Sequence, residues 1–276
     1  MEQYDDAITY YDKINDEFPE SLQMDSAMME RAIAYRKKGD EDGAIPSFLA
    51  VSRNEPSLFT TARLLLSQYL LAGGRDSEVI DVVSYAVEDT SAIESLYRLS
   101  QLYIMLGNAK KNLGNLEESI ADYSFAYNLE VPETQEMASV YRAGVYIELG
   151  QLETAERDLK ELMNSDNEDV KQNAQIRLAM ISVQQQKREQ AVQTYLTLYN
   201  SAEDPIDKLG FLRNLTQISA AGKDWERLDK FAHMMLDSEE AEGKQVEAQE
   251  FYYKEEAYFN LALAAEEQND YFKARD

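Results

Sequence analysis

A chain of 276 residues with 44% hydrophobic and 29% charged side chains can bury a substantial core and is too apolar to be disordered by composition. Its 52 acidic against 27 basic residues leave a net charge of -25, which repels phosphate backbones and anionic lipid surfaces, so nucleic acid is not an expected ligand. The absence of cysteine removes disulfides, thiolate zinc sites and cysteine nucleophiles together.

From the N-terminus, MEQYDDAITYYDKI lacks a basic stretch followed by an apolar one, and no later run approaches the 18 or more apolar residues of a spanning helix. Direct membrane insertion is therefore not expected. Residues 3–21 read as one amphipathic helix ending in FPES, and six helical hairpins follow, beginning near Asp25, Thr60, Ser91, Gln135, Lys171 and Asp207. Within them the turns are GDEDG (39–43), GGRDS (73–77), GNLEE (114–118), GQLET (150–154) and QKREQ (186–190), where a glycine closes the first helix and the next polar residues open the second. Pro46 is expected within the first turn of its helix, or else that helix starts late. The sixth hairpin, AAGKDWERLDKFAHMML, keeps register only with a one-residue slip. A long helix is expected from about Glu242 to Gln268, and residues 257–276 read as a first helix with only the start of its second.

Periodicity ties these elements together. Pro19, Pro56, Pro132 and Pro205 are 37, 76 and 73 residues apart, and Gly39, Gly74, Gly114, Gly150 and Gly222 are 35, 40, 36 and 72 apart, with Gln186 at the midpoint of the last gap. Self-similarity at such a period is the mark of a solenoid. Small residues pair at a spacing of 12 in Ala32/Ala44, Gly107/Ser119, Ala143/Ala155, Ala179/Ala191 and Ala262/Ala274. Four residues on comes a large apolar residue, Phe48, Tyr123, Leu159 or Tyr195, on the same helical face.

The unit resembles the tetratricopeptide repeat, most clearly in Tyr103, Leu106, Gly107, Gly114, Ser119, Tyr123 and Ala126, with Lys110 at a position usually aromatic. The resemblance implies an all-α solenoid of antiparallel hairpins in a right-handed superhelix, spanning residues 1–276 as one domain: residues 1–24 supply the second helix of a partial repeat, about 25–246 the six hairpins, and about 247–276 a last partial repeat. Gly107 is then expected where the two helices of a hairpin cross, and Gly114 at the helix end. Both ends read as unfinished repeats, as in a piece of a longer protein.

In such arrays the first helices line a concave groove, one turn either side of the small crossing residue. The resemblance places there Met29, Ile33, Arg36 and Lys37, then Leu64 and Gln68, then Ile104, Asn108, Lys111 and Asn112, then Val140 and Gly144. Arg36, Lys37 and Lys111 with the amides of Gln68, Asn108 and Asn112 form a set able to hold a peptide's carboxylate and backbone. The family's two-carboxylate clamp for C-terminal peptides is not reproduced, because Met29 and Ile33 replace its basic and amide positions. Toward the other end Glu256, Glu266 and Glu267 make the groove acidic and suit a basic segment.

Little in the chain points to chemistry. His233 is the one histidine, so neither a histidine-based triad nor a zinc site of ordinary ligands can be built, and no P-loop, GxGxxG, GxSxG or HExxH occurs. No catalytic, cofactor-binding or metal residue is assigned. The acidic runs 164–170 and 237–250 lack the order of an EF-hand loop, Trp225 suits packing, and at most one of Tyr252 and Tyr253 faces its own hairpin. The leading reading is a non-catalytic scaffold that binds a protein or an extended peptide. YDDAITYYDKINDEFPES also looks like bacterial envelope repeat proteins, such as outer-membrane assembly and Tol-Pal lipoproteins, which leans the location toward the periplasm. The alternatives are a peptide-sensing regulatory module and a targeting appendage of an enzyme.

Overall fold

The structure, a computed structural model, describes residues 2–93, 95–238 and 244–267, and all regular elements among them are helical. The chain divides into two compact units, Met1–Asp158 and Leu159–Asp276. In the first, α1 (Glu2–Glu17) precedes the hairpins α2 (Met24–Lys38) with α3 (Glu41–Ala50), α4 (Pro56–Ala72) with α5 (Asp76–Val87), and α6 (Leu96–Asn112) with α7 (Leu116–Asn128). It continues through α8 (Pro132–Glu148) into α9 (Leu152–Leu162). The second unit takes up the end of α9, then α10 (Glu168–Gln184) with α11 (Arg188–Ser201), α12 (Pro205–Gly222) with α13 (Trp225–Leu236), and α14 (Lys244–Glu267). First helices also touch one another, α2 on α4, α4 on α6, α6 on α8, and α12 on α14. The result is an all-α, solenoid-like repeat.

Helix starts lie close to the expected ones, and local chemistry accounts for the offsets. Pro56, Pro132 and Pro205 occupy the first helical position, where the missing N–H costs nothing, and so begin α4, α8 and α12 slightly early. Ser91 instead falls in a 3-10 turn, Thr90–Ala92, capped by the Asp89 carboxylate, and α6 begins after Ser95, whose Oγ accepts the Arg98 N–H at 3.2 Å. The long helix expected from Glu242 is α14, while Tyr271, Phe272 and Ala274 lie outside the described residues.

The turns obey one rule throughout. In each hairpin one left-handed residue closes the first helix, and the next N–H donates to the carbonyl five residues back: Asp40 to Tyr35, Arg75 to Leu70, Asn115 to Lys110, Gln151 to Tyr146, Lys187 to Ser182 and Asp224 to Ser219, at 2.8–3.0 Å. Four of the left-handed residues are the glycines 39, 74, 114 and 150; the fifth is Gln186, at φ +60. The sixth is Lys223, at φ +56, and not Gly222, which is the last residue of α12. The one-residue slip in the sequence therefore marks a non-glycine left-handed turn.

Counting from these residues recovers the crossing of every hairpin. Seven before them lie Ala32, Ser67, Gly107, Ala143, Ala179 and Thr216, and five after them Ala44, Val79, Ser119, Ala155, Ala191 and Leu228, all buried. The second and sixth crossings escape a search for small residues because Val79 and Leu228 are large; in the sixth, Ala232 takes the place that Phe48, Tyr123 and Tyr195 fill elsewhere. At Gly107 an added Cβ would lie 2.6 Å from the Tyr123 ring, so the close approach demands glycine.

Pro46 corrects the expectation for its helix: α3 begins at Glu41, and the proline is its sixth residue. The Asp40 carboxylate accepts the Gly43 N–H at 3.0 Å and starts the helix ahead of the proline. After ten residues α3 stops, and the buried Arg63 guanidinium of the next hairpin donates to Phe48 O at 2.6 Å and Leu49 O at 3.1 Å. Burial pulls that guanidinium down to about 10.

Candidate binding groove

Because first helices stack on first helices, the residues one turn either side of each crossing form rows along a unit, and the rows differ sharply in exposure. Ten positions before the turn stand Met29, Leu64 and Ile104, only 6%, 8% and 2% exposed. Met29 and Leu64 belong to one apolar core, and Ile104 packs in another with Ala126 of α7 and Ala138 of α8. Met29 and Ile104 are therefore packing residues of the stack, a correction to their expected place as open groove contacts; Gly144 is buried as well. Val140 and Ile33 are half-buried, and Gln68 and Lys37 are exposed.

Several of the expected polar groups are already engaged. Asn108 Oδ1 accepts the Tyr123 hydroxyl at 2.8 Å, and burial pushes that phenol well above its usual range. Lys111 Nζ lies 2.9 Å from Glu148 of α8, and Asn112 Nδ2 donates to Asp76 at 2.8 Å. These partners stand 37 and 36 residues away, one repeat, so a scan at the repeat period for carboxylates facing an ammonium or an amide picks out both as candidates, without telling which pairs form. What remains is a smaller set in the first two hairpins. Arg36 and Gln68 carry no side-chain hydrogen bond or ion pair among the described residues, and the Lys37 ammonium stands 5.7 Å over the Tyr4 ring. Arg36 lies near Tyr69 of α4, whose phenol is raised first by burial and then by Glu41, with Arg75 and Arg36 opposing.

The acidic end is likewise partly spoken for. Glu256 of α14 meets Arg213 of α12 at 2.6 Å and accepts from Gln217 at 3.1 Å, while Glu266 and Glu267 stand exposed. Tyr252 is exposed beside Arg213, and Tyr253 is half-buried against the core of the second unit. His233 is an exposed residue whose Nδ1 sits 2.9 Å from the Asp229 carbonyl, and Trp225 is half-buried at the start of α13. Among the described residues no cluster of His, Asp and Glu could hold a metal, and no helix is long and apolar enough to cross a membrane.

Comparison with known proteins bears on the fold. Residues 93–129, which contain the whole hairpin α6 with α7, match the family model described as Tetratricopeptide repeat. No curated protein matches the chain. A tetratricopeptide repeat protein from Parabacteroides merdae superposes with a TM-score of 0.64 at 15% identity, over 91% of this chain and 90% of that one. A signal transduction ATPase with a tetratricopeptide repeat sensor, from Pyrococcus horikoshii, gives 0.70 at 15% identity over 97% of this chain and 44% of that one. BtubC from P. vanneervenii gives 0.53 at 14% identity, over 80% and 92% of the two chains. Identities of this size speak to the fold alone.

Proposed function

We propose that this chain, whose residues 93–129 match the tetratricopeptide-repeat model and whose fold is that of solved repeat proteins, is a non-catalytic scaffold binding an extended peptide along the first helices of its first unit. One observation carries the reading: in a chain of net charge -25, Arg36 and Gln68 stay uncommitted and Lys37 is exposed, while the other polar residues of the row are bonded internally. A guanidinium and an ammonium favour a carboxylate, and the amide can pair with a peptide bond. The segment we envisage is acidic and lies across α2 and α4, beside Ile33 and toward Val140. Lys111 and Asn112 join only by giving up Glu148 and Asp76. A role in bacterial envelope assembly rests on the stretch YDDAITYYDKINDEFPES alone.

A second reading, a sensor arm for an output domain, is favoured by the similarity to the sensor-bearing ATPase, of which this chain spans under half. In both cases the same groove binds. The test is to pan a random-peptide display library on the purified chain and on Arg36→Glu. Enrichment of acidic peptides by the parent and their loss in the variant are expected; acidic peptides retained by Arg36→Glu, or no enrichment by the parent, would sink the groove assignment.

A further inference from the structure

A cleft of about 350 Å³ opens along the hairpin α10 with α11, at the lower end of the sizes that hold small ligands. The repeat register shows why it exists there. On one side of each hairpin the residue four before the left-handed turn reaches toward the residue eight after it, as Lys110 reaches Asp122 at 2.9 Å. In five of the six hairpins at least one of the two is large: Tyr35, Leu70, Lys110, Tyr146 and Phe231. In α10 and α11 the pair is Ser182 and Thr194, and space is left over.

The lining is uncharged. Gln175, Gln190 and Gln193 supply amides, Leu178 and Met163 the apolar part. The three hydroxyls have already given their protons to their own helices: Ser182 to Leu178 O at 2.9 Å, Thr194 to Gln190 O at 3.0 Å and Thr197 to Gln193 O at 3.0 Å. Toward the cleft they can only accept. Gln193 Nε2 bonds Glu189 at 3.2 Å, whereas the Gln175 and Gln190 amides have no side-chain partner among the described residues. The surroundings are also near neutral: residues 168–201 hold Glu168, Asp169 and Glu189 against Lys171, Arg177, Lys187 and Arg188, a net +1 in a chain of -25.

A charged ligand would leave water without a counter-charge in the lining. Sugars usually add an aromatic face to their hydroxyl partners, and no aromatic ring lines the cleft. Hydroxyls that only accept call for N–H donors on the ligand, and amides that do both suit a ligand with N–H and C=O in alternation. We propose that this cleft is a second binding site, independent of the groove, and that it takes an uncharged, extended peptide segment whose main chain pairs with Gln175, Gln190 and Gln193 over the Leu178 floor.

The experiment is a titration of the full chain with the blocked tripeptide N-acetyl-Ala-Gln-Ala-amide, followed by the glutamine side-chain amide resonances in 1H–15N spectra, with maltotriose as the neutral comparator. Two variants accompany it: Ser182→Tyr, which gives α10 the tyrosine that α2 and α8 already carry at this position, and Gln175→Leu, which removes an amide without filling space. Saturable shifts of the Gln175 and Gln190 resonances are expected in the parent, with apparent affinity at least tenfold weaker in each variant. Should Ser182→Tyr lose helicity by circular dichroism, Gln175→Leu decides alone. An absence of saturable shifts in the parent, undiminished binding in Gln175→Leu, or equal binding of maltotriose would overturn the proposal. Arg36→Glu leaves this titration unchanged, so the two sites fail or stand separately.

Discussion

Hairpins α6 with α7 and α10 with α11 have nearly equal helix lengths and the same turn bonding and crossing register, yet they meet those demands with different residues. Gly107 lets Tyr123 in at the third crossing, while at the fifth Ala179 faces Ala191 and Tyr195 with no such clash. Gly114 makes one left-handed turn and Gln186 the other. Beside the crossing, Lys110 and Asp122 fill the third hairpin with an ion pair, and Ser182 and Thr194 leave the fifth open. The fold is held by a few fully buried positions and one backbone turn per hairpin. Positions next to them are free to vary, and there the candidate sites lie.

Substitutions at matched positions can break this comparison. The largest effect belongs to Gly107→Ala, whose Cβ meets the Tyr123 ring at 2.6 Å; a loss of about 2–3 kcal/mol in denaturant midpoint analysis is expected, whereas Ala179→Gly costs about 1 kcal/mol. Equal losses at the two sites would end the distinction between the crossings. Next comes Lys110→Met. It strands the Asp122 carboxylate, at a cost of about 2 kcal/mol.

The same pair has a titration signature. Burial holds Asp122 above the usual aspartate range, with Lys110 pulling it down. Because the folded-state value is raised, this group's contribution to stability is fully present below the unfolded aspartate value and is lost as pH rises through the folded one. Lys110→Met should push the Asp122 carboxyl resonance to titrate at still higher pH, and a fall would refute the assignment. Smaller again are the turns: Gln186→Gly should gain about 0.5–1 kcal/mol and Gly114→Gln lose at least as much, with equal responses contradicting a shared left-handed turn. Smallest is Gln68→Ala, expected within about 0.5 kcal/mol of the parent in stability while weakening the acidic peptides of the groove.

Much of the architecture is legible from residue spacing, since a turn that recurs every 35–40 residues and small residues 12 apart are local consequences of one helix crossing another. Gly107 and Gly114 have the two roles their positions imply, and Gln186 stands where the missing glycine would be. The slip at Gly222 was visible but not its cause, because a left-handed lysine carries no sequence mark. Arg63 was equally silent: its carbonyl partners lie 14 and 15 residues away, with no charge to betray them. For the groove, spacing placed the row of residues but could not tell which of its members were spent.

The sequence by itself determined the helical hairpin, its register and the side of each first helix that looks away from its own partner, because each follows from a 3.6-residue period and the sterics of a tight turn. Only the tertiary structure decided which of those residues remain available. Burial of Met29 and Ile104, the ion pair of Lys111 with Glu148, and the space left beside Ser182 all depend on side chains one repeat away or on the opposite helix, and packing and pairing across such distances are set by the folded stack.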